Sequence, residues 1–596
     1  MKIKYSDLLI KTLEDMGIEK CFCVTGGTLA HILNSIIDSK IEVIFMRTEQ
    51  ACAMAADAYT RVSKKPALVL VTNGPGVTNT LTGVLGAFQD SVPMIIVSGQ
   101  NPTNQIILKG RKLRQLGVQE AKIDNLVKDV TKSFYRITSE NLIQNTLIEA
   151  FQDAISQRGG PVWIEVPIDS QSKSANYKKI KISKKKFTYS NQDLKKIKKV
   201  VELLKNSKKP IVVGGNGIHL SNTENEFKNF ILSKKLPFVS TWLASDIINF
   251  SNKNYIGNFG MLGTRAANFA VQNADLIIVL GSRLSIPNTG YNTKDFGHQA
   301  KIVHVDIDSN ELTKKTLKTD IKINMDLQTF FKEINKNNII FSYKEKIANW
   351  KNNLLELKLE YDLQNEDHKR TSKAINSYDF IEVLSNSNIG DSIVLTDMGT
   401  SFTCTMQAFK NNGKNRLITS SGTSSMGFGL PGAIGAFYAS PKKNIICVAG
   451  DGGFQMNLQE IQTLIQYKIP IKIFILNNQG YLAISLMQDN LFNGRRIGST
   501  KDTGVSSPDF IKIGKAFGIN SINISSVDIL KKNINRILNS KKSHLVEITL
   551  QDGQFMMPRL QSTKNEDGTI TSGSLENMWP YLDSKIFEKI KRTLNS

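Results

Sequence analysis

Ten short runs of apolar residues recur along the chain, and each stops at a turn-forming or polar residue. In the first third they are Ala67–Thr72 before Asn73-Gly74-Pro75-Gly76, Met94–Val97 before Ser98-Gly99, and Val162–Val166 before Pro167. The middle holds Ile211–Val213, Leu276–Leu280 and Ile302–Val305, ending at Gly214, Gly281 and Asp306. The last third holds Ile393–Leu395, Ile445–Ala449, Ile471–Leu476 and Leu545–Ile548. Runs of Val, Ile and Leu with little alternation predict strands buried on both faces, hence parallel sheets covered by helices. Amphipathic stretches lie between them, as at Asn141–Ser156 and Leu458–Tyr467. The pattern is a repeated strand–helix unit, and it places the chain in the α/β class.

The runs fall into three clusters separated by two polar stretches, Ser172–Lys199 and roughly Tyr343–Ser377. A length of 596 residues exceeds what one core supports. The reading is three doubly wound domains with parallel sheets, near 1–180, 190–340 and 370–550, followed by a C-terminal tail, 551–596. No apolar run approaches the ~20 residues of a membrane-spanning helix, and the N-terminus lacks a signal-peptide core. Five scattered cysteines fit reduced, buried thiols, and a cytoplasmic location is expected. The formal charge of +23 invites a nucleic-acid reading. Aromatic-rich basic motifs are missing, however, and many lysines lie in linker-like segments such as Lys178–Lys199, so neither nucleic acid nor membrane is expected as a partner.

Ligands of doubly wound sheets sit at the carboxyl ends of strands. Two such ends stand out. Gly450-Asp451-Gly452-Gly453-Phe454-Gln455-Met456-Asn457 follows one run, and Asn477-Asn478-Gln479-Gly480-Tyr481 follows the next. A carboxylate and an amide from adjacent strand ends can converge on a hard cation that takes its remaining oxygens from phosphate and water. Glycines beside Asp451 let backbone approach a phosphate closely.

These two segments resemble the diphosphate-binding signature of thiamine diphosphate (ThDP) enzymes. Arg47-Thr48-Glu49-Gln50-Ala51, Gly74-Pro75-Gly76-Val77-Thr78-Asn79, Gly160–Pro167 and Met426-Gly427-Phe428-Gly429-Leu430-Pro431 extend the resemblance and narrow it to the acetolactate synthase-like group. It implies a pyrimidine-binding domain, a central Rossmann-like domain and a diphosphate-binding domain. It also implies ThDP and Mg²⁺ as cofactors, with Asp451, Asn478 and the Gly480 carbonyl as metal ligands. By the same resemblance Glu49 activates the cofactor through its aminopyrimidine ring, and Met426 props the cofactor in a bent shape. Gln119 lines the substrate pocket, and Gly27 joins the catalytic set. The remaining cofactor contacts it implies are Thr72, Pro75, Asn79, Gly422, Ser424, Gly450, Gly452, Gly453, Tyr481 and Leu482. In this group the glutamate and the diphosphate site come from different subunits, so a homodimer or a tetramer is expected.

The implied reaction is decarboxylation of a 2-keto acid such as pyruvate, then carboligation of the two-carbon unit to a second carbonyl acceptor. Aldehyde release is disfavoured, because the His-His pair of pyruvate decarboxylase-type enzymes has no counterpart. Acetolactate synthases carry a tryptophan after the NNQ segment that helps select a 2-keto acid acceptor. Here Met487 falls near that place. The tail, with Pro558–Ser562 and Leu575–Pro580, resembles a subgroup linked to surface-polysaccharide synthesis. The preferred acceptor is therefore a nucleotide-linked keto-deoxysugar, with acetolactate formation as the alternative. The central domain resembles one that binds FAD through Gly214, Gly215, Gly260, Met261, Leu262, Gly263, Gly281, Arg283, Asp306 and Asp308. Leu262 replaces a usual histidine, and no acidic pair follows Arg283. The alternative there is a domain kept for structure alone. A catalytically retired relative would have lost Glu49, Asp451 or Asn478, and all three are present.

Overall fold

The structure is a computed structural model and describes residues 2–107, 112–137, 143–180, 187–366, 368, 374–567 and 569–595. Lys184-Lys185-Lys186 of the first polar stretch lies outside the described residues. Three six-stranded sheets form the frame, and every pairing within them is parallel. The first sheet comprises β1 (Lys20–Cys23), β2 (Glu42–Phe45), β3 (Ala67–Val71), β4 (Met94–Gln100), β5 (Ser133–Arg136) and β6 (Pro161–Pro167). The second comprises β7 (Pro210–Gly214), β8 (Phe238–Ser240), β9 (Tyr255–Asn258), β10 (Leu276–Leu280), β11 (Lys301–Asp306) and β12 (Ile321–Asn324). The third comprises β13 (Ser392–Thr396), β14 (Arg416–Ile418), β15 (Asn444–Gly450), β16 (Lys472–Asn477), β17 (Asn520–Ile524) and β18 (His544–Thr549).

The spatial order in the first sheet is β2-β1-β3-β4-β6-β5, and the third repeats it as β14-β13-β15-β16-β18-β17. The middle sheet runs β9-β8-β7-β10-β11-β12, the other common doubly wound order. The orders reverse between β1 and β3, between β7 and β10, and between β13 and β15, and the first and third sheets reverse again at β6 and at β18. The crevice outside the carboxyl ends at such a point is where this architecture holds ligands. The central strands β3, β10 and β13 are buried along their whole length, which accounts for their unbroken apolar sequence.

Four helices flank the strand ends that carry the expected site residues. They are α1 (Glu49–Ser63), α2 (Pro75–Gln89), α3 (Gly429–Ala439) and α4 (Leu482–Phe492). α1 and α3 come from different domains yet pack backbone to backbone. A Cβ at Gly435 would lie 1.9 Å from the carbonyl oxygen of Ala55, so only glycine permits this approach. All three domains also meet at one ionic cluster. His219 lies 2.8 Å from both Glu224 and Asp246, Asp246 pairs with Arg416, and Lys64 donates to the His219 carbonyl.

The second polar stretch is not a loop. Lys344–Glu360 forms a helix that buries Ile347, Trp350, Leu354 and Leu357. Those positions recur at helical spacing, but the lysines, glutamates and asparagines around them mask the stripe. The tail crosses to the central domain. The Leu560 N–H donates to the Met261 carbonyl at 2.7 Å, and Arg265 donates to the carbonyls of Met578 and Pro580. Its last helix, α5 (Ser584–Asn595), sets Phe587 against Phe269. All five cysteines are free and buried. Among the described residues no helix is long and apolar enough to cross a membrane.

Candidate active site

The first cluster lies at the switch point of the first sheet. The chain leaves β2 and caps α1 with Thr48, whose hydroxyl accepts the N–H of Ala51 at 3.3 Å. Glu49 is then the first residue of the helix, where the macrodipole favours a carboxylate. Its Oε2 accepts the side-chain N–H of Asn79, on α2, at 3.1 Å. Thr72 shares a 2.8 Å hydrogen bond with Thr28, and a Cβ on Gly26 would lie 2.3 Å from the Cβ of Thr72. Pro75 opens α2 at a position that needs no N–H. Gly74 has φ +60°, and a Cβ there would stand 2.2 Å from the carbonyl oxygen of Gln119. Gln119 is thereby pressed onto the same strand end, while its own side chain stays exposed. The loop is pinned by Glu120, which accepts the N–H groups of Ile107, Leu116 and Gly117. Gly27 begins a short 3₁₀ turn with open space beside it.

The second cluster lies at the switch point of the third sheet. The Asp451 carboxylate accepts the N–H of Gly452 at 3.0 Å, the N–H of Gly480 at 3.0 Å and the hydroxyl of Ser507 at 2.6 Å. Burial raises its pKa above the usual carboxylate range. Asn478 projects from the same strand end as Gly480, and its Oδ1 is buried without a partner. An orphaned amide oxygen two residues before Gly480, whose N–H meets a buried carboxylate, gives a donor set that suits Mg²⁺. Among the described residues no group of three His, Cys, Asp or Glu side chains gathers, and this site needs only one carboxylate. Gly452 is enclosed, since a Cβ there would lie 2.2 Å from the Tyr481 ring and 3.3 Å from the Met426 methyl. Met426, Gly450, Asp451, Gly452, Gly453, Gly480 and Tyr481 are therefore brought together, and Leu482 follows as the first residue of α4. Gly422 and Ser424 begin the loop that carries Met426, and they lie against the first domain. Asp90 accepts from the Ser421 N–H, and a Cβ on Gly422 would meet Gln89 at 2.6 Å.

Three residues to which the sequence assigned no role hold this arrangement. Asp397, at the end of β13, accepts N–H groups from Gly427 at 2.9 Å, Gly429 at 3.3 Å and Met398 at 2.8 Å. Burial pushes its pKa up to about 6. Glu460 is completely buried and accepts the N–H groups of Arg47 and Thr48. Asn457 donates to the Gly427 carbonyl at 2.9 Å. Thr396-Asp397 is visible in the sequence as a strand end and Asn457 as the close of the Gly450 segment, but neither pattern discloses these contacts, and Glu460 carries no local signal.

In the central domain a cavity of about 240 Å³ opens at the β7–β10 switch point. Gly281, Arg283 and Asp306 line it, together with Trp242 and, from the first domain, Asp90 and Arg158. Burial pushes Asp306 up to about 6. The other residues expected there do not line it. Gly214 and Gly215 form its supporting turn, where a Cβ on Gly215 would lie 2.3 Å from the Gly281 carbonyl. The loop Gly260-Met261-Leu262-Gly263 packs against Pro287 and the tail instead. Asp308 is engaged by Arg158 at 2.8 Å.

Comparison with known proteins agrees with this geometry. Models of the thiamine pyrophosphate enzymes match residues 3–124 as the N-terminal TPP binding domain, 197–334 as the central domain and 397–548 as the C-terminal TPP binding domain. The chain belongs to this family of ThDP-dependent enzymes. Among its relatives are a probable acetolactate synthase large subunit of Methanocaldococcus jannaschii, 32% identical over 93% of each chain, and the acetolactate synthase large subunit of Lactococcus lactis, 31% identical over 95% of this chain and 96% of the relative. Acetolactate synthase isozyme 2 large subunit of Escherichia coli is 28% identical over 98% of this chain and 99% of its own. The particular kind of enzyme is thus acetolactate synthase-like, ThDP-dependent and carbon–carbon bond-forming.

Proposed function

We propose that this chain decarboxylates pyruvate and joins the resulting two-carbon unit to a second carbonyl compound, with ThDP and Mg²⁺ bound between two copies of the chain. The observation that carries the reading is the Asp451 cluster, with its enclosed Gly452 and the orphaned Oδ1 of Asn478. Asp451, Asn478 and the Gly480 carbonyl would hold the metal, and Gly450–Gly453 the diphosphate. Glu49, Thr72, Pro75 and Asn79 would face the pyrimidine ring, with Met426 beneath the bend. Bound there, the cofactor supplies a carbon nucleophile and an electron sink for the carbon left by decarboxylation. The chain supplies the rest. Glu49 holds or accepts a proton at its carboxylate, Asn79 orients that carboxylate, and Gln119 borders the substrate space.

Support for the dimer comes from the surface of each cluster. Among the described residues no hydrogen bond links Glu49 or Asn79 to the Asp451 cluster. Leu113, Leu116 and Val118 are exposed in the Gln119 loop, and Met456, Ile484, Met487 and Phe492 are exposed near Asp451 and on α4. Apolar patches of this kind mark surfaces that a partner covers. Sedimentation should show a dimer or tetramer, and a fully active monomer overturns the reading.

For the acceptor we favour a keto group on a nucleotide-linked deoxysugar. Met487 is 45% exposed on the outer face of α4, where acetolactate synthases place an indole, and a thioether leaves room for a bulkier acceptor. The names of the relatives favour a second reading, acetolactate formation. Mass spectrometry of products from pyruvate with a panel of acceptors separates them. Acetolactate at a biosynthetic rate, with keto-sugar nucleotides ignored, defeats the sugar reading.

For the central cavity the proposed occupant is FAD. Arg283 offers a cation, Asp306 an acceptor for ribose hydroxyls, and Trp242 a buried Nε1–H without a partner. A colourless protein that releases no flavin on denaturation contradicts this.

A further inference from the structure

Asn457 closes the strand-end segment that begins at Gly450, has no role assigned by the resemblance, and sits on the turn between the short helix Asp451–Gln455 and the helix Ile461–Tyr467. It is 1% exposed. Its Oδ1 accepts the Thr48 hydroxyl at 3.3 Å and the Gln459 side-chain N–H at 3.2 Å. Its Nδ2 donates to the Gly427 carbonyl at 2.9 Å. Thr48 immediately precedes Glu49 and caps its helix, while Gly427 immediately follows Met426. One amide therefore ties together the two segments assigned to cofactor activation, which come from different domains.

The surroundings reinforce the tie on both sides. Glu460, three residues on, accepts the N–H groups of Arg47 at 3.0 Å and Thr48 at 3.1 Å, and its other oxygen accepts the Thr463 hydroxyl at 2.6 Å. The Gly427 peptide is gripped from both ends, its N–H by Asp397 and its carbonyl by Asn457. Gly427 has φ +89°, and a Cβ there would stand 2.8 Å from the Asn457 amide nitrogen, so the two pack without slack. Buried polar networks with every member paired are rigid, and removing one partner leaves its neighbours unsatisfied.

We infer that Asn457, supported by Glu460, is a positioning residue that sets the Glu49 helix and the Met426 loop relative to each other, whichever subunit's cofactor each segment serves. The inference rests on the roles proposed for Glu49 and Met426. It reaches beyond them by assigning the precision of that pair to a side chain that touches neither substrate nor cofactor. A misplacement of about 1 Å costs on the order of 100-fold in a rate that depends on alignment.

Two measurements test it. The first is backbone hydrogen–deuterium exchange of the cofactor-free protein. In Asn457→Ala, peptides covering 47–51 and 426–429 should both exchange about tenfold faster, with peptides of the central domain unchanged. The second is quenched-flow exchange of the C2 proton of ThDP on the protein loaded with ThDP and Mg²⁺. Asn457→Ala and Thr48→Val should each slow it by about 10- to 100-fold, while half-saturation by pyruvate moves less than about threefold. Thr48→Ser, which keeps the hydroxyl, should restore most of the rate. Thr48→Val carries the test if Asn457→Ala fails to fold. Glu49→Gln in the same assay separates the two levels. If Glu49→Gln exchanges like wild type, the reading of Glu49 fails. If Glu49→Gln is slow while Asn457→Ala and Thr48→Val match wild type, the positioning inference alone is overturned.

Discussion

Asp451 accepts the backbone N–H of Gly480 at 3.0 Å, and that contact joins the ends of two neighbouring strands, β15 and β16. Asn478, whose Oδ1 is buried without a partner, lies two residues before Gly480 at the same strand end. With the metal held there, Asp451→Asn and Asn478→Ala should each weaken Mg²⁺-supported ThDP binding by about 10- to 100-fold. Titrating ThDP at fixed Mg²⁺ and following tryptophan fluorescence measures it. Unchanged half-saturation in both variants would remove the metal assignment.

Gly452→Ala probes the floor of the same site. The added methyl would lie 2.2 Å from the Tyr481 ring and 3.3 Å from the Met426 methyl. The ring must swing away, and the space assigned to the diphosphate closes. ThDP half-saturation should rise at least about tenfold, while the melting temperature of the cofactor-free protein shifts by only a few degrees.

The long central strands are legible because burial on both faces requires an unbroken apolar run. The strands that escape such a reading are short and sit toward sheet margins, with sequences such as Lys20-Cys21-Phe22-Cys23, Ser133-Phe134-Tyr135-Arg136 and Asn520-Ser521-Ile522-Asn523-Ile524. Strands near an edge tolerate lysine, arginine and asparagine, so period and composition blur together there. The site divides in the same way. Asp451 and Asn478 stand at neighbouring strand ends, where spacing exposes them, whereas Glu49, at a helix start, stands out only through the resemblance of the segment around it. Ser507, Asn457 and Glu460 act on groups far away in sequence, and nothing local announces such contacts. In the central domain, glycine turns resemble ligand contacts, yet several of them serve close packing between strand ends, as Gly215 does against Gly281.

Asp397 gives a pH signature. Its carboxyl titrates at about 6 in the folded chain against an ordinary value of 3.8. A raised folded pKa means that its contribution to stability is complete below about pH 4 and is lost as pH rises through 6. The difference of about two units corresponds to roughly 3 kcal/mol. Asp397→Asn removes the titration. The melting temperature of wild type relative to this variant should therefore fall between about pH 4 and about pH 7. A parallel pair of pH profiles contradicts the assignment.

Gly435→Ala tests how tightly the first and third domains are joined. The new Cβ would lie 1.9 Å from the Ala55 carbonyl oxygen, a backbone atom that cannot rotate aside. Overpacking of this kind costs about 1–3 kcal/mol, and here the upper end is expected. Thermal unfolding should drop by several degrees, whereas Gly27→Ala, at a site with open space and no positive φ, should lose less.

The most direct measurement supplies the purified chain with ¹³C-labelled pyruvate, ThDP, Mg²⁺ and an acceptor panel, and follows labelled CO₂ alongside the products. A ThDP-dependent carboligase should release CO₂ only with both cofactors present. That CO₂ should be matched one for one by a product that carries the two labelled carbons on an acceptor carbonyl, and Glu49→Gln should abolish both. Free acetaldehyde as the sole product, or wild-type turnover in Glu49→Gln, would contradict it.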